Sequence, residues 1–381
     1  MASVDYSSNL VFDPVFYVNS HSDIKRLKSP DAAKHHWLTQ GIQEGRQGSG
    51  NFHSKQYLRR YADLSKAFPH DYHHAIEHYL TYGQKEHRMG YVEGGYEGRW
   101  TISNGKDLFI SASGTMAGAV DSLVWNHKEF INAWDHGREL QMAINSPPNG
   151  ECFNPTEAGG RDDSIGSVTK SHLQGVKASG RILRTSVRPA FWLRVGDHQT
   201  HGSGSHCGKN SPALNTQNTY PYLLSKIVEI GCAGLDNCVR FISGFDIKGH
   251  WPPYEFLNFE APTGYMTGDF TVKMRYDPSR NLLVPDGNAR LPPVMLTPDN
   301  QFAVGAYAPS GQDSDRHMYY AMWNFGGNFA QKTNKWNVVF MKNKYAEGSS
   351  HHLTYTAYVC VGTAQMVVNC LHKVHRAYPH V

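Results

Sequence analysis

Beyond about residue 95 the chain is written in short runs of alternating apolar and polar positions. They are DLFISAS, DSLVWNHKEF, GRELQMAI, PAFWLRV, KIVEIG, VRFISGFDI, FTVKMRY, QFAVGAYA, MYYAMWNF, WNVVFMK and LTYTAYVCVG. A period of two places successive side chains on opposite faces of a strand, and Gly, Pro, Asn and Asp turns separate the runs. Helical periodicity is nearly absent there, so the pattern predicts a mainly β protein built on a large antiparallel β-sandwich or supersandwich. The first ninety residues keep a different period. In HAIEHYLTYG, Ile76, Tyr79 and Leu80 fall at i, i+3 and i+4 on one face of a helix, and Gly83 stops it as a left-handed cap would.

That helical segment is a repeat. Phe12 matches Phe52, Tyr17 matches Tyr57 and Asp23 matches Asp63; after a two-residue insertion, His36/His78, Trp37/Tyr79, Leu38/Leu80, Thr39/Thr81, Gly41/Gly83, Glu44/Glu86, Arg46/Arg88 and Gly48/Gly90 agree. Each copy reads as two short helices with Phe/Tyr and Trp/Leu pointing inward. The chain therefore divides into a tandem helical repeat module over 1–95 and a large β-sandwich domain over 96–381, with YVEGGYEGRW as the linker. The recurrence of His36 and His78 at one repeat position favours packing or capping over metal ligation. The Glu44/Arg46 and Glu86/Arg88 pairs read as solvated or intermodule contacts.

The FDxxYY-like start and HYLxxGxxEGR-like end of each copy resemble the short helical repeats beside hemolysin-type and surface-layer modules of extracellular proteins. The resemblance covers about residues 11–90 and implies an accessory or surface-associated module without catalytic residues. In the large domain, WNHKEFINAWDHGRELQMAI, ECFNPTEAGGRDD, APTGYMTGDFTVKMRYDP, FAVGAYAP, KWNVVF and YTAYVCVGT resemble a widespread family of secreted β-proteins. Their opening strand pair, with Gly-Arg after a polar turn, is similar to that of galactose-mutarotase-like supersandwich domains. Over about residues 100–365 this implies a supersandwich and names no reaction.

Composition narrows the partners. A net charge of +4 with no Lys/Arg block gives no electrostatic footing for nucleic acid. No apolar run approaches the roughly 20 residues needed to span a bilayer. The polar start MASVDYSSNL does not read as a signal peptide, so the protein either stays inside the cell or begins at a processed or engineered terminus. All 6 cysteines lie in the large domain. Cys232 and Cys238 bracket a tight turn, and Cys360 and Cys370 flank a short strand-like piece, so two or three disulfides and an extracellular location are expected; scattered buried thiols are the alternative. Without a CxxC, a zinc-ribbon or redox site has no support, and no metal or cofactor is expected.

Three polar clusters could carry chemistry. The first runs from Asn126 through Asp135, His136 and Arg138 to Asn154 and Glu157. A facing set of His136, Arg138 and Glu157 could bind a polar ligand; alternatively Asp135 and Arg138 staple a turn while Asn154 and Thr156 bond backbone. The second, GDHQTHGSGSHCGKNS, holds His198, His201, His206 and Cys207, and reads as a loop bordering a cleft rather than a metal site. The third is GQDSDRHMYYAMWNFGG, where alternation places His317, Tyr319 and Ala321 on one face. Trp251, Tyr254 and Tyr265 add aromatic surface that can stack on sugars or fill the core.

No nucleophile elbow, P-loop or GxGxxG before a helix occurs. The residue types suit an extracellular carbohydrate-active protein acting on a polysaccharide. As a lyase it would use His317 or Tyr319 as base, with Arg138 and Asn126 on the uronate carboxylate. As a hydrolase it would use Glu157 and Asp135, and as an epimerase His317 and Glu157. His136, Asn154, Trp251 and Tyr265 complete the candidate site. A noncatalytic glycan-binding or adhesion protein is the alternative.

Overall fold

Phe12, Tyr17 and Trp37 of the first repeat meet Phe52, Tyr57 and Tyr79 of the second in one small core. The computed structural model describes residues 4–379, apart from 28, 87, 89, 92–97, 162, 164–168, 250, 311, 317, 327–331 and 344–349. It divides into two compact units, Met1–Gly98 and Arg99–Val381. In the first, the helices Pro14–Ser20 and Pro30–His36 are matched by Ser54–Arg60 and Tyr72–His78, and the later helix of each copy runs on into a π-turn, Trp37–Gly41 or Tyr79–Gly83. The second copy adds a third helix, Ala62–Ala67, where the first has the 3-10 turn Ser22–Ile24.

The repeated histidines pack as expected. The Tyr17 hydroxyl meets His36 Nδ1 at 2.9 Å, and the Tyr57 hydroxyl meets His78 Nδ1 at 3.0 Å. Gly41 and Gly83 lie directly against those hydroxyls, which leaves no room for a Cβ. The repeated arginines work inside each module rather than between modules. Arg46 joins Asp23 to Glu44, and Arg88 joins Asp63 to Glu86.

The large unit is mainly β, built on two large antiparallel sheets. The main path of the first sheet runs Arg99–Ser103, Leu108–Ser113, Val120–Trp125, Leu140–Asn145, Phe256–Thr267, Thr333–Asn343 and Tyr319–Phe325. The second runs Leu282–Pro285, Val272–Asp277, Pro293–Leu296, Ala303–Tyr307, Ser350–Gly362, Leu235–Lys248, Leu223–Cys232, Ile182–Arg188 and His172–Ser179. Rings from both sheets interlock between them: Phe245 lies 4.9 Å from Phe259, and Phe340 stacks on Tyr355 at 4.3 Å. The apolar half of each alternating strand thus makes the core, and the polar half forms two outer faces.

Three disulfides, Cys152–Cys207, Cys232–Cys238 and Cys360–Cys370, meet the cysteine expectation. The piece leading to Cys370 is a helix, however, not a strand. Thr363 caps Ala364–Ala377 through the Met366 amide, and Val367, Val368, Leu371 and Val374 are buried along one face. PAFWLRV contributes only the short strand Ala190–Phe191. Conversely, Arg99–Ser103, His172–Ser179, Ile182–Arg188 and the central Phe256–Thr267 are strands that alternation did not reveal.

Candidate functional site

The strand Phe256–Thr267 contains a defect that builds a polar cluster. On both neighbours the register shifts between Glu260 and Thr263: two residues of this strand oppose one residue on Leu140–Asn145 and one on Thr333–Asn343. In an unbroken strand, Glu260 and Tyr265 would point to opposite faces. The extra residue reverses the alternation, so both project from the outer face. Lys335 is paired directly across from Tyr265, and Trp323 directly across from Lys335.

Four side chains consequently converge. Lys335 Nζ lies 2.9 Å from Glu260 Oε2, and also 5.0 Å from the ring centres of both Tyr265 and Trp323. Asn145 Nδ2 donates to the other Glu260 oxygen at 3.3 Å, and Asn258 Nδ2 donates to Asn145 at 3.2 Å. Burial alone would lower the Lys335 ammonium, but the Glu260 carboxylate and the Tyr265 phenol hold it above its ordinary value. Tyr319 lies on the same face, two places before Ala321, whose amide donates to Asn337 Oδ1 at 3.2 Å. Burial, reinforced by Glu260 and opposed by Lys335, pushes the Tyr319 phenol up to about 12.

The cluster is open at one side. Trp323 and Phe325 are 40% and 43% exposed, and Phe325 stacks on Tyr265 at 6.1 Å. Exposed rings beside nearly buried polar groups thus form an aromatic surface on this outer face.

Of the residues singled out from sequence, Tyr265 and Tyr319 belong to this cluster. His317 lies outside the described residues. The others are employed elsewhere. Glu157 is fully buried between the sheets, where Lys226 of the second sheet pairs with one oxygen and the Met142 amide donates to the other at 3.0 Å. A group so enclosed cannot reach a polymer, and this corrects the facing set of His136, Arg138 and Glu157. His136 is itself buried, with Nδ1 3.2 Å from the Ala158 carbonyl. Asp135 accepts from the Gly137 amide at 3.1 Å and pairs with Arg138 at 3.4 Å, so the stapled turn is what forms. Asn126 occupies the exposed Asn126–His127 hairpin turn with φ +48, a left-handed position Asn tolerates. Asn154 accepts the Trp192 amide through its main-chain carbonyl. Trp251 packs among Phe153 at 4.7 Å, Tyr222 at 5.9 Å and Tyr254 at 6.1 Å, within an aromatic core.

In the histidine-rich loop, Cys207 is held by Cys152 and His201 bonds Thr200 at 3.0 Å. Glu260 and Lys335 escaped sequence reasoning altogether. Their signal was the EAPTG interruption inside an otherwise apolar run, which reads locally as a turn.

No protein-family model matches the chain, and no curated protein matches it in sequence. Solved structures do resemble it. Heparan sulfate lyase HepC from Pedobacter heparinus is 9% identical, with a TM-score of 0.36 over 94% of this chain and 53% of its own. A heparinase III is 11% identical, with a TM-score of 0.35 over 91% and 47% respectively. A bacterial glucoamylase crystallised with acarbose is 10% identical, with a TM-score of 0.34 over 75% and 35%. The chain thus spans about half the length of the heparan sulfate lyase and of the heparinase III.

Proposed function

We propose that this chain is an extracellular carbohydrate-active protein whose site is the Glu260, Tyr265, Tyr319, Trp323 and Lys335 face of the first sheet. The observation that carries the reading is the Lys335 ammonium, held by one carboxylate between two aromatic rings at the edge of an exposed aromatic surface. Trp323 and Phe325 supply stacking for sugar rings, and the Lys335–Glu260 ion pair offers a donor and an acceptor to sugar hydroxyls at the edge of that surface. The phenol of Tyr319 keeps its proton at neutral pH and can deliver it to a departing glycosidic oxygen. Because Glu260 is committed to Lys335, this face has no pair of free carboxylates for hydrolysis among the described residues; in an elimination Tyr319 gives its proton to the leaving oxygen, and the base that takes the C5 proton is assigned to His317, two residues earlier in the chain. Three disulfides support the extracellular assignment, and the helical repeat serves location or support.

Noncatalytic glycan binding is the second reading, favoured by the exposure of Trp323 and Phe325. Incubation with uronic-acid and neutral polysaccharides, following unsaturated-uronate absorbance and new reducing ends, separates the two. Unsaturated-uronate product from wild type but not from Tyr319→Phe supports elimination, whereas reducing ends without it indicate hydrolysis. Binding without product in either channel selects the adhesion reading, and neither binding nor product rejects both.

A further inference from the structure

The outer face of the second sheet carries an unsatisfied pair of cations. Lys177 of His172–Ser179 and Arg184 of Ile182–Arg188 are cross-strand partners, and both are exposed. Like charges directly opposite one another on a sheet repel. Among the described residues neither has a carboxylate partner. The carboxylates on the adjoining strands are spent elsewhere: Glu229 pairs with Arg240, and Asp246 with His352. The cations stand at one end of a groove of about 430 Å³ that crosses five strands, with Ser186 and Ser225 on its floor, Ile227 and Ile242 alongside, and Thr354 at the far end.

We infer that this groove binds a segment of an acidic oligosaccharide, with a carboxylate or sulfate group between Lys177 and Arg184. An anion there removes the repulsion between the two cations and gains charge-assisted hydrogen bonds from both. Hydroxyls on the floor suit sugar hydroxyls, and the two isoleucines suit the C–H face of a ring. Among the described residues no Phe, Tyr or Trp lines the groove, and its one ring, His352, is paired with Asp246, which disfavours the base stacking that single-stranded nucleic acid uses. Four strand spacings of about 4.8 Å make the groove long enough for several sugar units. The ligand class rests on the polysaccharide reading above; the location does not, because the groove lies on the other sheet. It would anchor a polymer away from the site at which Tyr319 acts.

The test is calorimetric titration of an oligogalacturonate hexamer into the full chain carrying Trp323→Ala, so that the first-sheet site contributes little. Binding should persist, weaken as salt rises, and fall about tenfold or more when Lys177→Glu and Arg184→Glu are added. Lys177→Gln with Arg184→Gln, checked for an unchanged melting temperature, should give a smaller loss in the same direction and guards against misfolding. A neutral cello-oligosaccharide of equal length should not bind. Equal affinity for the neutral oligomer, tighter binding of a single-stranded oligonucleotide, or indifference to both pairs of substitutions overturns the inference. Cleavage assays on short substrates should be unaffected by the Lys177 and Arg184 variants. Failure of this groove therefore leaves the first-sheet reading intact, and failure of the first-sheet site leaves the location of this groove standing, its ligand class then resting on the titration alone.

Discussion

Lys335 and Glu260 meet at 2.9 Å on adjoining strands, with each side chain only about one-tenth exposed. Their contact depends on the register shift that turns Glu260 toward the same face as Tyr265.

Removing one partner should therefore be worse than removing both. Lys335→Met strands a nearly buried carboxylate and should lower stability by about 3 kcal/mol, while Lys335→Met with Glu260→Gln should recover much of that loss. The folded-state value of Lys335 is raised, so its contribution is full below the ordinary lysine value and is lost as pH climbs through the folded one. Denaturant melts from pH 8 upward should show this alkaline decline in wild type and not in the double variant.

Tyr319 gives a kinetic signature. With its phenol pushed up to about 12, it stays protonated well beyond neutrality, so the group should impose no alkaline limb on a pH–rate profile between pH 7 and 10. Tyr319→Phe should depress turnover by about 100-fold or more without shifting that profile. A limb near pH 8 that disappears in the phenylalanine variant would contradict the raised phenol, and an unchanged turnover in that variant would contradict proton donation by this residue.

Trp323→Ala tests the aromatic surface. Because the ring is 40% exposed, its loss should barely move the melting temperature. Loss of the stacking should nevertheless weaken binding of a glycan about tenfold, the equivalent of ~1.4 kcal/mol.

Glu157 should behave as a structural residue. Burial pushes its carboxyl up and the Lys226 ammonium down, each opposed by the charge of its partner. Lys226→Met alone should destabilise by about 3–5 kcal/mol, and adding Glu157→Met should restore most of it. Nearby Glu139 is fully buried, and neither of its oxygens has a partner; burial, with Asp135 and Asp121 adding to it, raises its carboxyl well above the ordinary range. The folded state then holds a proton that the unfolded chain releases above about pH 4.5, so stability falls as pH rises from there. Glu139→Met should flatten that slope and stabilise the protein at neutral pH, as read by thermal melts across pH 4–8.

In the helical unit, Gly83→Ala should lower the melting temperature because its Cβ would collide with the Tyr57 hydroxyl. Adding Tyr57→Phe removes that oxygen and should recover part of the loss. A rescue of this kind would not occur if glycine were needed only for helix termination.

What the sequence determined by itself was local. Alternation in DLFISAS, VRFISGFDI and LTYTAYVCVG marked strands that form as Leu108–Ser113, Leu235–Lys248 and Ser350–Gly362, because neighbouring residues suffice to define a period of two. The matched Tyr, His and Gly positions likewise placed His36 and His78 in packing roles. The Ala364–Ala377 helix was missed although Val367, Val368, Leu371 and Val374 carried its spacing.

The site was a tertiary decision. Glu, Pro and Gly inside FLNFEAPTGYMT read as a turn, yet this strand is held on both sides, and tertiary pairing overrides the local preference. That pairing absorbs the extra residue as a bulge. The predicted cluster divided as well: Tyr265 and Tyr319 reached the outer face beside Lys335, while Glu157 went inward to Lys226. Side-chain chemistry can be read from a sequence, but which face a residue occupies, and which distant strand lies beside it, is fixed only when the sheets assemble.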